Sequence, residues 1–187
     1  MIRNICVYCG SSSGDDPAFL AEAEALGKGL AAADIGLVYG GGDNGLMGMV
    51  ARSTLQAGGR VTGIIPEFLV QVEQARGSVG LEGAEIIVVP DMHTRKHMMF
   101  DKADAFVTLP GGIGTLEEIV EIMTWSQLKR HSKPMFVIDI NGFWEPMVKL
   151  LDHMEASGFL HNPDAARPTF VSNAADIMAA MGSFQSA

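Results

Sequence analysis

The chain has 187 residues, enough for one domain with its own core, and its 48% hydrophobic against 19% charged residues exclude a disordered chain. A formal charge of −9 opposes non-specific nucleic-acid binding, which needs a basic face. No run reaches the roughly 18 consecutive apolar residues of a membrane span, and the N-terminus leads straight into a strand without a signal peptide. The expectation is a single domain over residues 1–187, soluble and cytoplasmic, with neither nucleic acid nor membrane as partner.

The first predicted strand covers residues 5–9, Ile-Cys-Val-Tyr-Cys. Cys6 and Cys9 have redox-like spacing, but positions three apart in a strand face opposite sides, so they read as buried structural thiols. Cys9-Gly10-Ser11-Ser12-Ser13-Gly14 follows. Ser11 and Ser12 beside Gly10 offer hydroxyls to a phosphate or a ribose, or simply to water. Asp16-Pro17 then gives an N-cap and a first-position proline for a helix over 17–33.

A strand over 36–39 leads into Gly40-Gly41-Gly42-Asp43-Asn44-Gly45 and a helix over 45–57. Gly40-x-Gly42-x-x-Gly45 fits the dinucleotide fingerprint, and Glu67 lies near the offset of a ribose-binding acid. That fingerprint should follow the first strand, whereas here it follows the second, and Glu67 comes after Pro66, outside the strand. Contact of Gly41, Gly42 and Gly45 with a phosphate or sugar is therefore favoured over NAD. A strand over 60–65 precedes residues 66–83, which read as a loop with Gly77, Gly80 and Gly83, of a length that suits a lid or partner contact.

After a strand over 85–89 comes Asp91-Met92-His93-Thr94-Arg95-Lys96, entering a helix over 94–103. The planar fork of Arg95 suits a phosphate or a base nitrogen; a solvated Arg95–Lys96 pair is the alternative. His93 and His97 have metal-like spacing without a third ligand, and read as structural or solvent-facing. A strand over 105–109 ends in Pro110-Gly111-Gly112-Ile113-Gly114-Thr115-Leu116-Glu117-Glu118, which opens a helix over 115–128. The glycines let a ligand approach the backbone, and free N–H groups at the helix start favour an anion. A carboxylate one turn from an anion cradle suggests a ligand with a phosphate at one end and a centre that becomes positive at the other. Thr115-x-x-Glu118 is equally a capping box, in which Thr115 caps the helix. Leu116, Ile119, Val120 and Met123 form its core stripe, with Glu117 and Glu121 off it. Strands over 134–138 and 169–171 and helices over 144–157 and 174–181 complete the chain.

The strands are continuous apolar runs alternating with helices, which predicts an α/β, three-layer Rossmann-like fold with a parallel central sheet. Ligands of such sheets bind beyond the carboxyl ends of the strands, where all four glycine-, serine- and arginine-bearing loops fall.

Pro110-Gly111-Gly112-Ile113-Gly114-Thr115-x-x-Glu118 resembles the P-G-G-x-G-T-x-x-E signature of the LOG (Lonely Guy) proteins, cytokinin riboside 5′-monophosphate phosphoribohydrolases. The resemblance extends to the Cys-Gly-Ser-Ser loop, Gly-Gly-Gly-x-x-Gly-Leu-Met-Gly at 40–48, Met92-His93-x-Arg95-Lys96 and Thr124-Trp125-x-Gln127-Leu128; Ile113 stands where members often carry tyrosine. It implies a homodimer with sites near the interface and hydrolysis of a nucleoside monophosphate, with Arg95 and Glu118 catalytic and Gly111, Gly112, Gly114 and Thr115 on the 5′-phosphate. Gly10, Ser11, Ser12, Gly41, Gly42, Gly45, Met92, Lys96 and Glu121 complete the expected substrate contacts, and neither cofactor nor metal is expected. Such proteins are often labelled possible lysine decarboxylases, but nothing around the six lysines marks one that bears a cofactor. The main rival is a non-catalytic nucleotide- or cofactor-binding carrier of the same fold, resembling molybdenum-cofactor carriers.

Overall fold

The computed structural model describes residues 2–75, 81–160 and 162–185. Seven strands, β1 (Asn4–Tyr8), β2 (Gly36–Tyr39), β3 (Val61–Pro66), β4 (Glu85–Val89), β5 (Ala105–Thr108), β6 (Met135–Ile138) and β7 (Thr169–Val171), form one sheet in the order β4-β3-β2-β1-β5-β6-β7. Every neighbouring pair is parallel. The chain builds outward from β1 to β4, then returns to lay β5 on the other side of β1. Ile5 thus faces Leu37 on one side and Ala105 on the other.

Alternation along the strands divides the core into two layers. Ile5 and Val7 pack with Leu26 and Leu30 of α1 (Pro17–Ala32), Val50 of α2 (Gly45–Gln56) and Ile177 of α8 (Ala174–Gln185). Cys6 and Tyr8 pack on the opposite face with Met99 of α4 (Met92–Lys102), Ile119 and Ile122 of α5 (Ile113–Gln127) and Met147 of α6 (Glu145–Ala156). Both cysteines are free and buried, one in each layer, as the strand reading expects. The helices after β1 and β5 therefore leave on opposite faces, and a crevice opens between their loops where the strand order reverses.

Asp16 caps α1 as expected, its side chain accepting from the Ala18 N–H at 2.8 Å. The segment over 66–83 is not the uniform loop its glycines suggest. It begins with a helix, α3 (Glu67–Ala75), directly after β3. Phe68, Leu69 and Val72 supply a short helical pattern that the later glycines obscure; residues 76–80 of this expected lid lie outside the described residues. A four-residue helix, α7 (Pro163–Ala166), was not foreseen either. Among the described residues no helix is long and apolar enough to cross a membrane.

Candidate active site

Three loops meet at the crevice through main-chain hydrogen bonds. The Gly10 N–H donates to Pro110 O at 3.0 Å, and the Met47 N–H donates to Gly10 O at 3.1 Å. Gly45 sits against the Ser11–Ser12 backbone with a φ of +59°, so a side chain there would strain the chain and strike its neighbour. Gly41 and Gly42 are buried behind this contact. The cleft wall takes Met47 from this segment instead. The glycine-rich stretch after β2 thus buttresses the first loop, and Glu67 lies exposed at the start of α3.

Helix α5 starts two residues earlier than expected. Gly112 is its N-cap, in extended conformation and without a side-chain cap bond. The Leu116 N–H closes the first turn onto Gly112 O at 3.0 Å. Thr115 lies inside that turn, buried beside Gly111, so the capping-box reading fails: the extended glycine takes the cap position, and Glu118 has no cap N–H at Thr115 to reach. Gly112, Ile113 and Gly114 are exposed, which leaves the first-turn N–H groups facing the crevice as an anion cradle.

The three loop glycines differ in what they face. A Cβ at Gly111 would crowd Thr115 and approach the Gly10 nitrogen to 2.8 Å, whereas one at Gly112 or Gly114 would meet no protein atom within 4 Å. Gly111 is needed for packing; Gly112 and Gly114 keep space open in front of the cradle.

The cradle and a buried ion pair share one cleft of about 330 Å³. Arg95 of α4 is 6% exposed. Its Nε donates to Ile64 O at 3.1 Å and its Nη2 to Gly40 O at 3.2 Å, one carbonyl within β3 and the other just after β2. Its Nη1 faces Met92 Sδ at 3.7 Å and Glu118 Oε1 at 3.7 Å. The Glu118 side chain is 12% exposed. Burial pushes its carboxyl up to about 7; Arg95 and then Lys96 oppose the rise, while Glu117 and Glu121 add to it. Lys96 is turned away from the cradle, bridging Glu117 at 2.5 Å and Glu121 at 3.0 Å.

Of the residues singled out in the sequence, Gly10, Ser11, Met92, Arg95, Gly112, Gly114, Thr115 and Glu118 line this cleft together. Ser12 and Gly111 line a second lobe of about 250 Å³, which shares Gly10, Ser11 and Gly112 with the first. Gly41, Gly42 and Gly45 stand behind it, and Lys96 and Glu121 beside it. Cys9, Met47, Ile113 and Glu117 also line the cleft without having been singled out as site residues. Met47 carried a signal in Gly-Leu-Met-Gly; the carbonyls that hold Arg95 carried none. His93 and His97 are both exposed, and His97 lies 3.4 Å from Asp101.

A parallel sheet with its cleft at the switch point, an uncapped helix start and a buried arginine–carboxylate pair defines a Rossmann-like protein whose cleft has the chemistry to receive an anion. Residues 47–181 match the family described as possible lysine decarboxylase. The chain is 45% identical over 156 residues to the probable cytokinin riboside 5′-monophosphate phosphoribohydrolase LOGL1 of Oryza sativa subsp. japonica, an alignment covering 83% of this chain and 68% of the relative. It is 42% identical over 165 residues to the cytokinin riboside 5′-monophosphate phosphoribohydrolase LOG7 of Arabidopsis thaliana, covering 88% and 74%. The chain belongs to this LOG family. In fold it is similar to the molybdenum cofactor carrier protein of Chlamydomonas reinhardtii, with a TM-score of 0.71 over 100% of both chains at 19% identity, a likeness of fold alone.

Proposed function

We propose that this protein is a nucleoside 5′-monophosphate phosphoribohydrolase that cleaves the N-glycosidic bond of adenosine 5′-monophosphate or its N6-modified forms, releasing the free base and ribose 5-phosphate. The observation that carries the reading is the Arg95–Glu118 pair, 3.7 Å apart and buried, in the same cleft as the uncapped start of α5. Family membership points the same way.

The 5′-phosphate sits on the N–H groups from Gly112 to Thr115, with Ser11 beside it. Thr115 and Glu118 are three residues apart, about 4.5 Å along the helix, so a ribose held by its phosphate presents C1′ to the Glu118 carboxylate. As the bond from C1′ to the base nitrogen breaks, positive charge builds on the ribose, and the carboxylate stabilises it. Water adds its oxygen to C1′ and gives a proton to Glu118; the departing base nitrogen takes up a proton from solvent, and Glu118 returns its own to solvent, so the carboxylate is restored. A carboxyl pushed up to about 7 is matched to that exchange at neutral pH. Arg95 is fixed by two carbonyls, so it acts as a placed positive charge toward the base or the phosphate. Binding energy from the phosphate holds the ribose in place for the chemistry.

The protein works as a homodimer with its sites near the interface. Supporting this, Val120 (45% exposed), Leu150 and Met154 surround an apolar groove between α5 and α6, and Ile113 is 81% exposed at the mouth of the cleft. The rival reading, a carrier, has the shared fold in its favour, but a carrier needs only the cradle and not a buried carboxylate beside it. Incubating the protein with AMP and with N6-isopentenyl-AMP, and separating the products chromatographically, tests the proposal. Free base with ribose 5-phosphate supports it; unaltered nucleotide from both would leave the carrier.

A further inference from the structure

Helices α4 and α5 meet beside the cleft through consecutive residues. Arg95 faces Glu118, and the next residue, Lys96, faces Glu117 and Glu121 at 2.5 and 3.0 Å. Glu117 and Glu121 are four apart, so their like charges repel along one side of the helix unless a cation lies between them. Lys96 is that cation, with its side chain 17% exposed. Two of its three donors are spent on carboxylates. That geometry is poorly suited to a phosphate ligand.

We infer that Lys96 is a positioning residue: it clamps Glu117 and Glu121, holds α4 on α5 at the Arg95–Glu118 separation, and offsets part of the field of the two flanking carboxylates at Glu118. The inference rests on the proposed role of Glu118 at C1′. The charged and titratable groups that act on Glu118, or that it acts on, are Arg95 and Lys96 from α4, Glu117 and Glu121 from α5, and Cys6, Tyr8 and Cys9 on and just after β1. The three groups of the β1 segment are neutral, because burial pushes each of them well up. Burial dominates at Glu118, and the charge balance added to it is two cations against two carboxylates. Removing Lys96 leaves Arg95 alone against the two carboxylates, and Glu118 then holds its proton to higher pH.

The test is the pH profile of kcat/KM for AMP, read beside a carboxyl-carbon NMR titration of Glu118 that needs no turnover. In Lys96→Met the acid limb and the NMR midpoint should both rise, by about one pH unit, with activity falling about fivefold at pH 7 and recovering at pH 9. Lys96→Arg should restore the parent profile. The double variant Glu117→Gln with Glu121→Gln leaves Lys96 uncompensated and should move the midpoint down, which keeps the test usable if Lys96→Met folds poorly. An unmoved midpoint in Lys96→Met and in the double variant overturns the inference, whether KM rises as for a phosphate ligand or Tm falls as for a plain strut. If the midpoints move but no nucleotide is hydrolysed, the electrostatic role stands and the reading of the reaction fails.

Discussion

Glu118 is one carboxyl asked to stay poised in a nearly dry site. Its folded-state value of about 7 stands above the ordinary 4.5. Below about pH 4.5 the group is neutral in both folded and unfolded chains and does not affect stability. Between there and pH 7 the unfolded chain loses the proton first, so stability falls as pH rises. Above pH 7 the penalty is constant, on the order of 3 kcal/mol. Glu118→Gln removes the charge, so it should raise Tm at pH 8, leave it unchanged at pH 4, and lose most base release. Thermal melts at the two pH values check this; equal melting shifts at both would contradict it. The parent enzyme's kcat/KM should rise with pH through a midpoint near 7. That Arg95 and Glu118 share one cleft was legible because their motifs place both beyond the carboxyl ends of strands of one sheet. At Thr115 a capping role stayed open beside the phosphate role because Thr-x-x-Glu satisfies two geometries, and only the backbone shows that Gly112 begins the helix. The partners of Arg95 were not legible, because main-chain carbonyls of Ile64 and Gly40 leave no mark in a sequence.

At the scale of elements, the turn from β5 into α5 uses its glycines for two purposes. Gly111→Ala should lower Tm and activity together, because its Cβ collides with Thr115 and the Gly10 backbone. Gly114→Ala should keep or raise Tm, since alanine favours a helix over glycine by about 1 kcal/mol, while raising KM for AMP as the methyl intrudes on the phosphate. Melting curves and steady-state kinetics on the pair check this; matching losses in both variants would contradict it. The strands were legible almost to the residue, being short apolar runs with flanking glycines. Helix stripes were less so. Val120 belongs to the apolar spacing of α5 yet is exposed, because the stripe is wider than the face the sheet buries and its edge lies over the α6 groove. Helix α3 was hidden by the glycines that follow it.

Across the whole molecule, the strand order decides where chemistry is possible. β1 and β5 are neighbours in space but about 100 residues apart in sequence, and their loops diverge to opposite faces. Periodicity carried the layers and the parallel sheet, but not this order, which depends on contacts remote in sequence. The net charge of −9 is compatible with the proposed anion site because the attraction would be local, made by helix-start N–H groups and a buried arginine. The exposed apolar residues on α5 and α6 bear on assembly. If the proposed homodimer forms through this face, Val120→Asp should give a monomer in sedimentation and depress activity with it; an unchanged mass would contradict that interface.

The most direct measurement is an incubation of the purified protein with AMP, N6-isopentenyl-AMP and, separately, adenosine, with Glu118→Gln alongside, followed by chromatography for the free base. Base released from a 5′-monophosphate, none from adenosine and almost none by Glu118→Gln is expected of a phosphate-anchored hydrolase working through that carboxylate. Equal release from adenosine, or undiminished release by Glu118→Gln, would contradict it.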